Sequence, residues 1–257
     1  MQPVITIRNL EKFYGSKKVL NNISLDVYPG QVLGYIGPNG AGKSTTVKIL
    51  CGLNQDFTGD VLIKGIDIKK DPVAAKAHIG YVPELAELYD VLTPMEFLGF
   101  MGALYNMDPA LCQTRIIKIL TAFNLQDNLD KRMDSFSKGM KQKVLIASGI
   151  LHNPDIIILD EPLSGLDANS VIIIKELISK LAREGKTIFY CSHMMDVVEK
   201  VSDRIILING GTIVADGSFS ELQQQQGDNS SLEQIFASLT ARESAGVAAD
   251  NLLSAFD

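Results

Sequence analysis

The spacing of apolar positions changes several times along the chain. To about residue 28 it is β-like, in short segments such as Val4-Ile5-Thr6-Ile7 and Ile23-Ser24-Leu25-Asp26-Val27, separated by a polar Gly15-Ser16-Lys17-Lys18 turn. This pattern predicts an antiparallel β layer. A short apolar run, Val32, Leu33, Tyr35 and Ile36, reads as a further strand, and Val47, Ile49 and Leu50 follow as part of a helix. Strand material recurs at 60–64 and 79–82, and from Thr93 to about residue 151 the spacing becomes helical. There Pro94 suits a first helical turn, Asp108-Pro109 opens another helix, and Ile116, Ile117, Leu120 and Phe123 form a helical stripe.

After Asn153-Pro154 the continuous run Ile156-Ile157-Ile158-Leu159 predicts a parallel strand buried on both faces. A helix over 169–183, a strand over 187–191, a helix over 194–201 and a hairpin around Gly210-Gly211 complete an α/β core. Residues 223–226 with Gly227-Asp228-Asn229 read as a polar linker. Ser230 and Glu233 then suit a capping box for a helix with Leu232, Ile235, Phe236 and Leu239 on one face. That face can dock on the chain's own core or on another subunit, and residues beyond Arg242 are expected to be loosely ordered. The expected division is a core with its β subdomain over 1–84, an inserted helical subdomain over 85–153, the second part of the core over 154–225 and a helical tail over 226–257. No internal repeat is evident.

Between the strand ending at Ile36 and the helix beginning near Lys43 stands Gly37-Pro38-Asn39-Gly40-Ala41-Gly42-Lys43-Ser44, a complete G-x-x-x-x-G-K-[ST] phosphate-binding loop. Gly37, Gly40 and Gly42 let the backbone curl so that successive N–H groups face anionic oxygens. Lys43 reaches the β- and γ-phosphates, Ser44 offers a hydroxyl to Mg²⁺, and the helix start that carries Thr45 turns its positive dipole end to the phosphates. A second signal lies at the end of the apolar strand, where Asp160 and Glu161 are adjacent. Asp160 suits the Mg²⁺ shell, and Glu161 suits polarisation of the water that attacks the γ-phosphate.

Composition narrows the class. The 257 residues are 46% hydrophobic, enough for a packed α/β interior, and the longest apolar stretches fall far short of the roughly 20 residues that span a bilayer. The N-terminus lacks a basic region followed by a long apolar segment, so a cytoplasmic location is expected. Cys51, Cys112 and Cys191 form no C-x-x-C pair and read as reduced core residues. A net charge of −6 disfavours broad nucleic-acid binding, and the Lys138, Lys141 and Lys143 cluster reads chiefly as a solvated helix face.

Further motifs in matching order make the resemblance specific. Phe136-Ser137-Lys138-Gly139-Met140 resembles the signature loop of ABC transporter ATPase subunits, Ser164-Gly165-Leu166-Asp167 resembles the loop joining paired subunits, and Ser192-His193 resembles the switch histidine. The likeness covers nearly all of residues 1–240 and implies an ABC ATPase core of P-loop NTPase type, with the β subdomain and helical insertion already outlined. It implies two subunits sandwiching two ATP molecules, so that Ser137 and Gly139 bind ATP across the interface. It also implies that Tyr14 stacks on adenine and that His193 hydrogen-bonds the γ-phosphate, giving Glu161, His193 and Lys43 catalytic roles. Ser44, Glu84 and Asp160 are then the Mg²⁺ set, with Glu84 at a position where the family commonly has glutamine.

Lys138 and Met140 also depart from the usual signature, which has glycine and glutamine there, and resemble some exporter-type members. The implied function is an ATP-hydrolysing subunit, paired with an identical or related one. It would energise a separate transmembrane permease subunit, in the export direction, from the cytoplasmic face of the membrane. The contact would fall near residues 84–92. A clamp on nucleic acid or the ribosome is the alternative, disfavoured by the single phosphate loop and compact insertion.

Overall fold

The structure is a computed structural model that describes residues 1–85, 88–226 and 230–240. The first two strands, β1 (Ile5–Tyr14) and β2 (Lys17–Val27), form a hairpin around Gly15 and Ser16, so the turn is shorter than the polar run suggested. Then come β3 (Val32–Ile36), α1 (Lys43–Leu50), β4 (Thr58–Ile63), the two-residue β5 (Ile66–Asp67), α2 (Pro72–Ala77) and β6 (Ile79–Val82). The helical stretch comprises α3 (Pro94–Leu104), α4 (Pro109–Ala122), two short 3₁₀ turns at Gln126–Asn128 and Met133–Ser135, and α5 (Lys138–Ile150). Thr93 and Glu96 close a capping box on α3, and Asp108 caps α4 through the N–H of Leu111.

The remainder is β7 (Ile156–Asp160), α6 (Ala168–Arg183), β8 (Thr187–Cys191), α7 (Met195–Val201), the hairpin β9 (Arg204–Asn209) with β10 (Thr212–Gly217), α8 (Phe219–Gln226) and α9 (Leu232–Thr240). Strands β2-β1-β4-β5 make a four-stranded antiparallel sheet, and β10-β9-β3-β8-β7-β6 make a six-stranded sheet that is parallel except at β10. Alternate residues of the parallel strands enter two separate cores. Leu33, Tyr35, Ile156 and Ile158 pack with the antiparallel sheet and α1, while Val32, Ile36, Ile157 and Leu159 pack with α5, α6 and α7. Burial on both faces explains the absence of polar alternation in Ile156–Leu159.

Two expectations about the tail are corrected. Residues 223–226 are the second half of α8, not a linker: glutamine is a good helix former, Ser218 and Glu221 cap the first turn reciprocally, and buried Leu222 anchors the helix. The second capping box is Ser231 with Gln234, one residue later than Ser230 with Glu233. This start makes Leu232 the first helical residue and turns Leu232 and Ile235 into the chain's own core, beside α7 and α8. The linker expected at 227–229 and the loose order expected beyond Arg242 lie outside the described residues. All three cysteines are free and buried.

The helical insertion meets the sheet at a close backbone approach. A Cβ on Gly80 of β6 would collide with the carbonyl oxygen of Gly149 on α5, so no side chain fits there without a shift of the backbone. Gly80→Ala is therefore expected to destabilise the protein by about 1–3 kcal/mol through overpacking. Gly99→Ala in α3, where a Cβ meets nothing within 4 Å, is expected to be neutral or to gain up to about 1 kcal/mol. Urea unfolding of the two variants measures this contrast, and equal midpoints would refute the contact.

Candidate functional site

Because β3, β8, β7 and β6 are parallel neighbours, their C-terminal ends open onto one edge of the sheet. A cleft of about 700 Å³ occupies that edge. From β3 and α1 it receives Gly37, Pro38, Asn39, Gly40, Gly42, Lys43, Ser44 and Thr45; from the other strand ends it receives Glu84, Asp160, Glu161 and His193. The sequence-predicted phosphate, metal and catalytic groups thus meet in one cavity, with Ala41 buried beneath the loop.

The loop is shaped by its glycines and its helix. Gly42 has φ 112° at the N-cap of α1, and a side chain there would strike Leu20. Buried Thr46 donates to the Gly42 carbonyl at 3.1 Å and lies 3.3 Å from the Tyr35 hydroxyl, which ties the helix start to β3. The Lys43 ammonium folds over the loop and donates to the carbonyls of Gly37 (2.7 Å) and Pro38 (3.2 Å).

The acidic groups have contrasting environments. Asp160 is 5% exposed at the end of β7, and its pKa is pushed up to about 6, first by burial and then by the negative charges of Glu84 and Glu161. Lys43 and Lys48 pull it back only in part. Glu161 adopts φ 49°, a left-handed conformation uncommon for a residue other than glycine, and its N–H donates to the Cys191 carbonyl. Its Oε2 accepts from Ser192 Oγ at 3.1 Å and lies 2.9 Å from His193 Nδ1. The Glu161 side chain is only 12% exposed, whereas the His193 side chain is 73% exposed and has room to change partner.

Besides Ala41, three predicted ligand-binding residues do not line the cleft. Tyr14 ends β1 half exposed, with its ring beneath the Lys12 ammonium at 4.8 Å and its hydroxyl accepting from Asn54 at 3.0 Å. Ser137 caps α5, accepting from the Met140 N–H, and Gly139 lies against the Gly165 carbonyl. Lys138 donates to Ser164 Oγ at 3.2 Å, Lys143 pairs with Asp167 at 3.6 Å and Lys141 pairs with Asp90 at 2.6 Å, so each lysine of the cluster has its own local partner. Buried Gln142 donates to the Pro162 carbonyl and links α5 to the turn after Glu161. Sequence reasoning missed Val19, Met195 and Phe236 as cleft residues. The sequence pattern places only Phe236, on the apolar face of its helix, and nothing local marks an apolar residue that also borders a site.

Among the described residues no group of three His, Cys, Asp or Glu is gathered as a metal cage. Mg²⁺ does not require one: it keeps waters and takes one or two carboxylates beside substrate phosphates. A hydroxyl at Ser44 and carboxylates at Asp160 and Glu84 around a phosphate cleft fit that chemistry. Fold and site together define an α/β P-loop nucleotide hydrolase.

The family model for ABC transporters matches residues 20–164. The ABC transporter ATP-binding protein NatA of Bacillus subtilis is 36% identical over 235 residues, covering 90% of this chain and 95% of NatA. EcsA, an ABC-type transporter ATP-binding protein of the same organism, is 32% identical over 244 residues, covering 95% and 98%. A solved ATP-binding subunit of an ABC transporter superposes with a TM-score of 0.87 at 30% identity, covering 92% of this chain and 99% of that one. A dimeric ATP-binding cassette solved in a post-hydrolysis state with ADP and phosphate gives a TM-score of 0.78 at 26% identity, covering 83% and 98%. The chain belongs to the ABC transporter family, as an ATP-binding and ATP-hydrolysing subunit. These relatives lend no support to a clamp on nucleic acid or the ribosome. Among the described residues no helix is long and apolar enough to cross a membrane.

Asp160 has a folded pKa above its ordinary value, so its contribution to stability is fully present below about pH 4 and is lost as pH rises through about 6. At higher pH its buried charge is a net cost. In EDTA and without nucleotide, Asp160→Asn is expected to be more stable than the parent at pH 8 by about 1–3 kcal/mol, taking roughly 1.4 kcal/mol per pKa unit. The difference should close by about pH 3, below the unfolded carboxyl's pKa. Urea titrations at the two pH values check this, and a pH-independent difference would contradict it.

Proposed function

We propose that the chain drives a separate transmembrane permease, in the export direction, from the cytoplasmic face of the membrane. ATP binding would pair it with a second copy or a related subunit, and ATP hydrolysis would separate them. The convergence of the phosphate loop, Asp160, Glu161 and His193 on one cleft carries this reading. In it, Lys43 exchanges the carbonyls of Gly37 and Pro38 for β- and γ-phosphate oxygens, while the loop N–H groups hold the remaining phosphate charge. Ser44, Asp160 and Glu84 hold Mg²⁺, which when bound neutralises phosphate charge as hydrolysis proceeds.

Glu161 accepts a proton from the attacking water and directs its lone pair at the γ-phosphorus. His193 now lies against the same carboxylate oxygen, and moving its ring to the γ-phosphate frees that oxygen for water. Ser192 still donates to Glu161 and holds its carboxylate in place. Ser137 and Gly139 lie outside their own chain's cleft, as expected of groups that complete a partner's site, where the α5 N-terminus favours the γ-phosphate charge. Tyr14 supplies the adenine platform. The names of relatives support export: they include a linearmycin resistance ATP-binding protein of Bacillus subtilis and Nod factor export ATP-binding proteins. Exposed Leu85, Tyr89 and Val91, within the segment 84–92, offer apolar contacts for the permease; Ala86 and Glu87 lie outside the described residues.

Glu161→Gln is expected to retain ATP binding, lose about 100-fold or more of its turnover and accumulate an ATP-bound dimer in size-exclusion chromatography. Wild-type turnover in this variant would remove Glu161 from the mechanism. Because a unit-charge pair at 4 Å is worth about 4 kcal/mol at an effective dielectric of 20, Glu84→Gln is expected to change the Mg²⁺ dependence of turnover. Superimposable Mg²⁺ titrations of the two proteins would show that Glu84 does not face the metal.

A further inference from the structure

The family match ends at residue 164, yet a residue 72 positions further on borders the nucleotide cleft: Phe236 of α9 shares its wall with Met195 and His193. Helix α9 reaches this position because Leu232 and Ile235 are buried and because the Leu232 N–H points to Glu199 of α7 at 3.5 Å. The helix it supports has little stability of its own. Helix α7 has seven residues and no side-chain cap at its N-terminus. Isolated helices of that length do not persist in water, so packing must hold it. His193 stands two residues before this helix, between Ser192, whose hydroxyl accepts the Met194 N–H, and the N-cap residue Met194.

From this arrangement we propose that Phe236 is a positioning residue for ATP hydrolysis. Packed on the core that contains Met195, Val197 and Val198, its ring braces the first turn of α7 and walls the space in which His193 moves. The proposal rests on the switch role given above to His193. Its consequence is that α9, at the far end of the described chain, governs the exchange of His193 between Glu161 and the γ-phosphate. Nucleotide affinity, set by the phosphate loop, is unaffected.

The full chain with Phe236→Leu, Phe236→Val and Phe236→Ala tests this by steady-state ATPase assay and direct ATP binding. The expected result is a kcat that falls in the order of side-chain volume removed, reaching about tenfold in the alanine variant, with KM and ATP affinity within about twofold of the parent. In a His193→Ala background, Phe236→Ala should lower turnover by less than twofold further, because both changes act on one step. Should the alanine variant fail to fold, the leucine and valine variants carry the same test. A parental kcat throughout, a matching loss of ATP affinity, or a full additional loss in the His193→Ala background overturns the proposal. Glu161→Gln separates the two levels: if it turns over normally, the catalytic assignment itself fails; if it is inactive while the Phe236 variants behave as the parent, only the bracing role fails.

Discussion

A parallel sheet covered on both faces leaves only its strand ends for polar chemistry, and the site depends on that constraint. Strands β3, β8, β7 and β6 bury their side chains alternately into two separate cores. Polar groups therefore appear within two residues of the last sheet residue: the phosphate loop after Ile36, His193 after Cys191, Glu161 after Asp160 and Glu84 after Val82. The strand order makes these four ends neighbours, although their sequence order scatters them over more than 150 residues.

The same edge concentrates unfavourable terms. Asp160 carries a raised pKa because its burial is compounded by two adjacent carboxylates, and Glu161 holds a backbone conformation that costs about 1–3 kcal/mol for an ordinary residue. Packing elsewhere offsets both. The β7 register between β6 and β8 leaves little freedom at Asp160, and the Glu161 N–H is locked to the Cys191 carbonyl. A cation arriving in the cleft would relieve the first cost, so folding stability is lower at the site for the same reason that cation binding there is favoured.

Helix α5 connects this site to its surroundings. It lies against β6 at Gly80 and Gly149, reaches the turn after Glu161 through Gln142, and meets the Ser164 to Asp167 loop through Lys138, Gly139 and Lys143. A displacement of the helical insertion is thereby tied mechanically to the residues that follow Glu161. The tail adds another connection, from α9 through α7 to His193.

Local chemistry made much of this legible in the sequence. The phosphate loop needs consecutive residue types that no other element requires, Ile156–Asp160 reads as a buried strand ending in carboxylates, and the Gly210-Gly211 hairpin announces its turn. The tail departs from expectation where local signals compete: glutamines occur in linkers and helices alike, and the Ser218–Glu221 cap together with Leu222 meeting the core sets the helix. Adjacent serines likewise offered two capping registers, and the burial of Leu232 and Ile235 accompanied the second. Neither the left-handed Glu161 nor its pairing with Ser192 and His193 has a local signature, because each depends on β7 and β8 lying side by side. By itself, then, the sequence determined which groups could bind and cleave a nucleotide, since those roles follow from residue type and short spacing. Which apolar residues border the cleft, which carboxylate is buried and which is strained, and which predicted groups stay outside it were decided only by tertiary packing, because they depend on distances between segments far apart in the chain.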